Sequence, residues 1–196
     1  MGEQAIVRAY VQPVPLRFTF EDLQCASDEW GINCGPAAIA AMLELGLSEI
    51  RPKLGDFEQK GYTNPSLMFE ILRRLQVQWR CLTISRFNNA PLDWPSYGLA
   101  RVQWEGPWTA PGVPQRVRYR HTHWVGSVIE PAHPGAVNQY VFDVNCACIG
   151  GWVPFEEWRS QVVPWLLGTV YAEEKRKPSG AWHLTHSIQI LRGSHG

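Results

Sequence analysis

The stretch Asp28–Leu43, DEWGINCGPAAIAAML, decides how the rest of the chain is read. It sets one cysteine between a short polar turn and a run of alanines and aliphatics. From Cys34 to about Leu45 the residues are apolar on nearly every face, with Gly46 placed as a C-terminal stop. That pattern predicts a central, buried helix. Cys34 stands at its start, after Gly31-Ile32-Asn33 and before Gly35-Pro36. Pro36 has no N–H to donate and a φ already suited to a first turn, and Gly35 lets another group approach the backbone closely. Unpaired N–H groups and the helix dipole at such a terminus favour a thiolate. Alone, Cys34 reads more readily as a small buried apolar residue.

Residues downstream supply what a nucleophilic thiol needs. His123 heads the apolar stretch HWVGSVI, and Asp143 lies 20 residues later inside YVFDVN. If the two segments form a hairpin, Asp143 or Asn145 falls opposite His123 and can hold its imidazole in one tautomer. The other ring nitrogen then faces a thiol. Asp143 and Asn145 share a face of a strand, so either suits the orienting role. His121 and His123 also share a face; His123 is preferred as the base because the apolar strand continues directly from it. Cysteine, base and orienting carboxylate in that order make a Cys-His-Asp arrangement.

Around these segments the chain reads as α+β, helix-rich in its first half and strand-rich in its second. Residues 5–20 alternate weakly around Pro13 and Pro15 and suggest an edge strand or extended arm. Thr63-Asn64 cap a second helix with Pro65 in its first turn and Leu67, Met68, Ile71, Leu72 and Leu75 on one face. Gln78–Ile84 and Gly98–Trp104 are candidate strands, set among Pro- and Gly-rich loops between 88 and 120. His121–Glu130 and Gln139–Asn145 are expected to pair across the turn residues PAHPGAVN. A third helix opens at Pro154 with Glu156 and Glu157 in its first turn, and Pro164 ends or kinks it. Ala181–Leu191 alternates as a final strand.

The chain has 196 residues, 45 % of them hydrophobic and 18 % charged, which suits one folded domain and argues against disorder. Eighteen basic residues balance eighteen acidic ones. With Lys175-Arg176-Lys177 as the one basic run, a nucleic-acid partner is disfavoured. There is no 18-residue apolar run and no basic segment leading into an apolar core. Neither a membrane span nor a secretory signal is expected. Five cysteines (25, 34, 81, 146 and 148) then suggest reduced thiols in a cytoplasmic compartment.

INCGPAAIAAML, HTHWVGSVIE and YVFDVN together resemble the papain-like cysteine peptidases, most of all the bacteriocin-processing (double-glycine leader) peptidase branch and its stand-alone relatives. The resemblance implies a papain-like α+β fold with the nucleophile helix packed on an antiparallel sheet. It implies Cys34 as nucleophile, His123 as general base and acid, and Asp143 as orienting residue, with no cofactor and a peptide or protein substrate. Two departures stand out. Members of the family place a Gln six residues before the cysteine to complete the oxyanion hole; here that position is Asp28, whose charge would repel an oxyanion. Gln24, through a longer loop, or Asn33 are the other candidates. Asp143 is followed by Val-Asn rather than Pro, which keeps Asn145 open as an orienting residue.

Cys146-Ala147-Cys148, with His183 or His186, invites a metal reading, but the one-residue spacing is too short for a zinc knuckle and a second pair is missing. No metal is expected. On a strand, His183 and His186 would face opposite sides. Ten tryptophans are many for this length. Trp94, Trp104 and Trp108, in or beside the loops, are candidates either for a substrate groove or for core filling. Three functions suit the pattern. The first is a thiol hydrolase cleaving a peptide or isopeptide amide through an acyl-enzyme. The second is an acyltransferase or cell-wall amidase with the same nucleophile. The third is a silent binding module on the same scaffold, as Asp28 would suggest. Oligomeric state has no signature in the chain.

Overall fold

Period-two alternation in the second half of the chain builds a single sheet. The computed structural model describes residues 12–82, 93–114, 118, 120–132, 136–174 and 176–191. Six strands, β1 (Trp79–Cys81), β2 (Tyr97–Trp104), β3 (Thr122–Pro131), β4 (Val137–Phe142), β5 (Trp152–Pro154) and β6 (Trp182–Ile190), lie in the order β1-β6-β2-β3-β4-β5. Every pairing is antiparallel. Helices cover both faces, so the class is α+β as expected.

One face carries α1 (Phe20–Trp30), α2 (Cys34–Met42), the short α3 (Leu47–Ile50) and α4 (Phe57–Lys60), and α5 (Pro65–Arg74). The expected second helix is α5, capped by the Asn64 side chain on Leu67 N at 2.8 Å. Its residues Leu67, Met68, Ile71 and Leu72 enter the first core. α2 lies across β3 and is buried from Gly35 through Met42. Gly126 of β3 makes room for it, since a Cβ there would stand 2.8 Å from Met42 Sδ.

The other face is covered by a C-terminal helix that begins as an α-turn, Phe155–Glu157, widens to a π-turn over Trp158–Val162 and resumes as an α-helix over Val163–Glu174. Pro164 therefore neither ends nor simply kinks it. A helical proline crowds the carbonyl four residues back and leaves it without a donor; a widened turn just before it, with Val163 N–H reaching Trp158 O, absorbs both effects. Trp158, Val163, Leu167 and Val170 face the second core. Among the described residues no helix is long and apolar enough to cross a membrane.

Several local expectations are corrected. No strand forms over 12–19, residues 1–11 lie outside the described set, and the helix α1 begins at Phe20 under a Thr19/Asp22 capping box. α2 stops at Met42, where Glu44 takes a left-handed φ of 54°, and Gly46 instead precedes α3. β1 covers only Trp79–Cys81 of the expected Gln78–Ile84, of which 83–84 are outside the described residues. β6 carries a bulge at Thr185, because Arg101 pairs with His186 and Val102 with Leu184. That extra residue puts His183 and His186 on one face rather than on opposite faces.

Candidate active site

The site forms where β4 leaves the ladder. Ile129 donates to Ser96 O on the β2 side of β3, so by alternation the Trp124 N–H points to the β4 side. The last β3–β4 pair is Gly126 with Phe142, and Val144, which would stand opposite Trp124, instead opens a 3-10 helix over Val144–Ile149. Asp143 caps that helix through its carboxylate on Asn145 N at 2.9 Å. Gly150 and Gly151, at φ 97° and 75°, turn the chain back into β5. Cys34 Sγ fills the vacated position and accepts the Trp124 N–H at 3.5 Å.

The thiol is held there by the start of α2. Asn33 caps the helix, its Oδ1 accepting from Gly35 N at 3.3 Å and its Nδ2 donating to Gly61 O at 2.9 Å. A Cβ on Gly35 would fall 2.3 Å from Thr63 Oγ1, so the first turn seats against the 61–64 segment only because that residue is glycine. The Cys34 N–H is the first of the helix and has no partner within it.

His123 Nε2 lies 2.9 Å from Asp143 Oδ1, and the His123 ring also hydrogen-bonds the Cys34 side chain. With Nε2 given to the carboxylate, the nitrogen that meets the thiol is Nδ1; this protonation pattern is assigned from the hydrogen bonds. Asn145 Nδ2 donates to Asp143 Oδ1 at 2.9 Å and stands 3.4 Å from His123 Nε2. Two donors do not bond each other, so Asn145 steadies Asp143 while Asp143 alone orients the imidazole. Trp158 Nε1 donates to Asp143 Oδ2 at 2.8 Å. The strand assignment for Asp143 and Asn145 is thereby corrected: both lie past the end of β4.

The electrostatics follow from burial and this chain of contacts. Asp143 is fully buried. Burial opposes its charge, yet the His123 cation and the donors from His123, Trp158 and Asn145 outweigh it and bring the carboxyl down to about 2. Burial likewise works against the His123 cation, and Asp143 and Cys34 overcome it, raising the imidazole well above its ordinary value. At Cys34, burial would raise the thiol; the His123 charge and hydrogen bond and the Trp124 amide reverse that and lower it. Both shifts favour the thiolate–imidazolium form of the pair over the neutral one. Cys146, buried beside the same carboxylate without a cation, is pushed up to about 12.

A cleft of about 420 Å³ opens over Cys34 and His123. α1 walls one side with Leu23, Gln24 and Ser27, and the 3-10 helix walls the other with Val144 and Asn145. Gln24 thus reaches the cleft, one helical turn before Asp28, which does not line it. Asn33 lines it too, but its amide is taken, Oδ1 by the cap and Nδ2 by Gly61 O. His121 sits outside β3 at a left-handed φ of 53°, its ring against Trp108 with centroids 4.5 Å apart. Of the two readings open for Trp94, Trp104 and Trp108, the structure bears out core filling, with Trp94 half-buried against the core. Trp104 and Trp108 are buried, the latter donating to Trp104 O at 2.7 Å, and Trp94 packs edge-on against Phe155, Trp158 and Trp182. Loop composition alone does not reveal that direction. Trp158, 15 residues beyond Asp143 on another element, has no sequence signal that ties it to the site. His183 pairs with Glu105 at 3.0 Å, and among the described residues no three His, Cys, Asp or Glu side chains converge as metal ligands would.

Compared with known proteins, the chain matches no family model, no curated protein and no solved structure.

Proposed function

We propose that the chain is a cysteine hydrolase of papain-like design, a peptidase that cleaves a peptide or isopeptide amide through a thioester acyl-enzyme. The observation that carries this reading is the line Cys34–His123–Asp143 at the N-terminus of α2, its last two members buried, with the thiol lowered and the imidazole raised. In this reaction the Cys34 thiolate attacks the amide carbon, and the oxygen that gains charge is met by the Cys34 N–H and the Gln24 side-chain amide. The imidazolium gives its Nδ1 proton to the departing amine as the C–N bond breaks, leaving a thioester on Sγ. Neutral His123 then takes a proton from water, the hydroxide adds to the thioester, and Sγ leaves as the thiolate with the acid released. Asp143 stays ionised throughout and holds Nε2–H.

Iodoacetamide labelling of Cys34 between pH 5 and 8, read by mass spectrometry, tests the pair. Fast labelling at pH 5–6 is expected; labelling that rises only towards about pH 8.5, the range of an ordinary thiol, overturns the reading. Turnover of a peptide library, lost in Cys34→Ala, then identifies hydrolysis, while transfer to an added amine in place of water would identify an acyltransferase.

A further inference from the structure

We infer that Trp158 is a positioning residue for the catalytic carboxylate, holding Asp143 with Oδ1 turned to His123; the inference rests on the Cys34–His123–Asp143 chemistry proposed above. The two carboxylate oxygens are served unequally. Oδ1 accepts from His123 Nε2, Asn145 N and Asn145 Nδ2, whereas the Trp158 indole is the donor to Oδ2. A buried indole needs one acceptor, and any nearby carbonyl would satisfy it. Here it donates instead to a fully buried carboxylate, at the border of an aromatic layer.

The indole is itself held from several sides. Trp182 meets it edge-on with centroids 5.5 Å apart at 82°, Trp94 at 5.9 Å and 78°, and Phe155 lies near-parallel at 6.2 Å. The π-turn that precedes Pro164 begins at Trp158, so the widened backbone sets the origin of this side chain. The charged and titratable groups facing Asp143 among the described residues are few. His123 approaches from β3 with Cys34 behind it on α2, and the Cys146 thiol lies on the 3-10 helix. Without the indole, Oδ2 has no other donor among the described residues. The carboxylate would then regain stability by taking up a proton or by rotating, and either weakens its hold on His123 Nε2.

The test is a ¹³C NMR titration of the Asp143 carboxyl from pH 6 to 3 in the wild type, Trp158→Phe and Trp182→Phe. Trp182→Phe opens the same aromatic cage without touching Asp143. Asp143 in the wild type and in Trp182→Phe is expected to stay ionised at pH 3. In Trp158→Phe its midpoint rises by about one pH unit or more, the scale of one lost hydrogen bond to a charge. Peptide hydrolysis at pH 7 is expected to lose about tenfold in kcat with KM unchanged, as for a group that acts on the transition state alone. A titration in Trp158→Phe that matches the wild type, or an equal shift in Trp182→Phe, overturns the inference. Should Trp158→Phe fail to fold, the Trp158 indole N–H resonance of the wild type decides. It is expected to move as Asp143 and His123 titrate, and a resonance indifferent to both overturns the inference. The titrations need no turnover, so an absence of hydrolysis counts against the peptidase reading alone.

Discussion

In the proposed reaction Asp143 joins stability to chemistry in one side chain. Its folded value of about 2 lies below the unfolded value, so the stability it contributes is present above about pH 4 and is lost as pH falls towards 2. The imidazole of His123 runs the other way: its contribution is full below about pH 6.5 and is lost as pH rises through its raised folded value. Asp143→Asn is therefore expected to cost about 2 kcal/mol at neutral pH, with the difference from wild type shrinking towards pH 2 in urea denaturation. At the cleft, Gln24→Ala is expected to lower kcat about 100-fold, the scale for one oxyanion donor, while Asp28→Asn leaves it unchanged in the same peptide assay. A cysteine before Gly-Pro and a histidine heading an apolar strand were legible because each follows from its own neighbours. Which carboxamide enters the cleft was not, since it depends on α1 supplying one more helical turn than the six-residue spacing assumes.

At the scale of elements, the first turn of α2 is where local sequence and the site meet. Asn33→Ala removes both the cap and the tie to Gly61 O, and a loss of about 1 kcal/mol in thermal unfolding is expected. Gly35→Ala sets a methyl against Thr63 and must shift α2 or the 61–64 segment. A cost of about 1–3 kcal/mol is expected, with slower Cys34 alkylation at pH 6 because Sγ moves off the Trp124 amide. The start of this helix could be read from Asn33, Gly35 and Pro36. Its end could not, because Glu44 takes the left-handed turn that Gly46 seemed reserved for. The C-terminal helix shows the same limit: Pro164 announces a break, yet a π-turn accommodates it and the helix runs on to Glu174.

Across the whole molecule, the one strand pair that could be anticipated is β3–β4, from alternation and the turn residues between them. The sheet order was hidden, because β6 enters between β1 and β2 through pairings such as Trp79 with Ile190 and Trp104 with Trp182, far apart in the chain, that no local pattern records. The choice between groove and core for the tryptophans stays open in the sequence for a related reason: whether a loop-borne indole faces outward depends on what closes over it, here the C-terminal helix. The gap beside Trp124 has a consequence for how the protein comes into being. Cys34 is translated early, but its amide donor lies 90 residues further on, and the carboxylate and indole behind His123 come later still. A nascent or unfolded chain thus carries a thiol of ordinary pKa, and the lowered one arises only once α2, β3 and the segment after β4 have come together. Reactivity and foldedness are reported by one atom, so Cys34 alkylation at low pH should vanish in step with the unfolding transition and return on refolding.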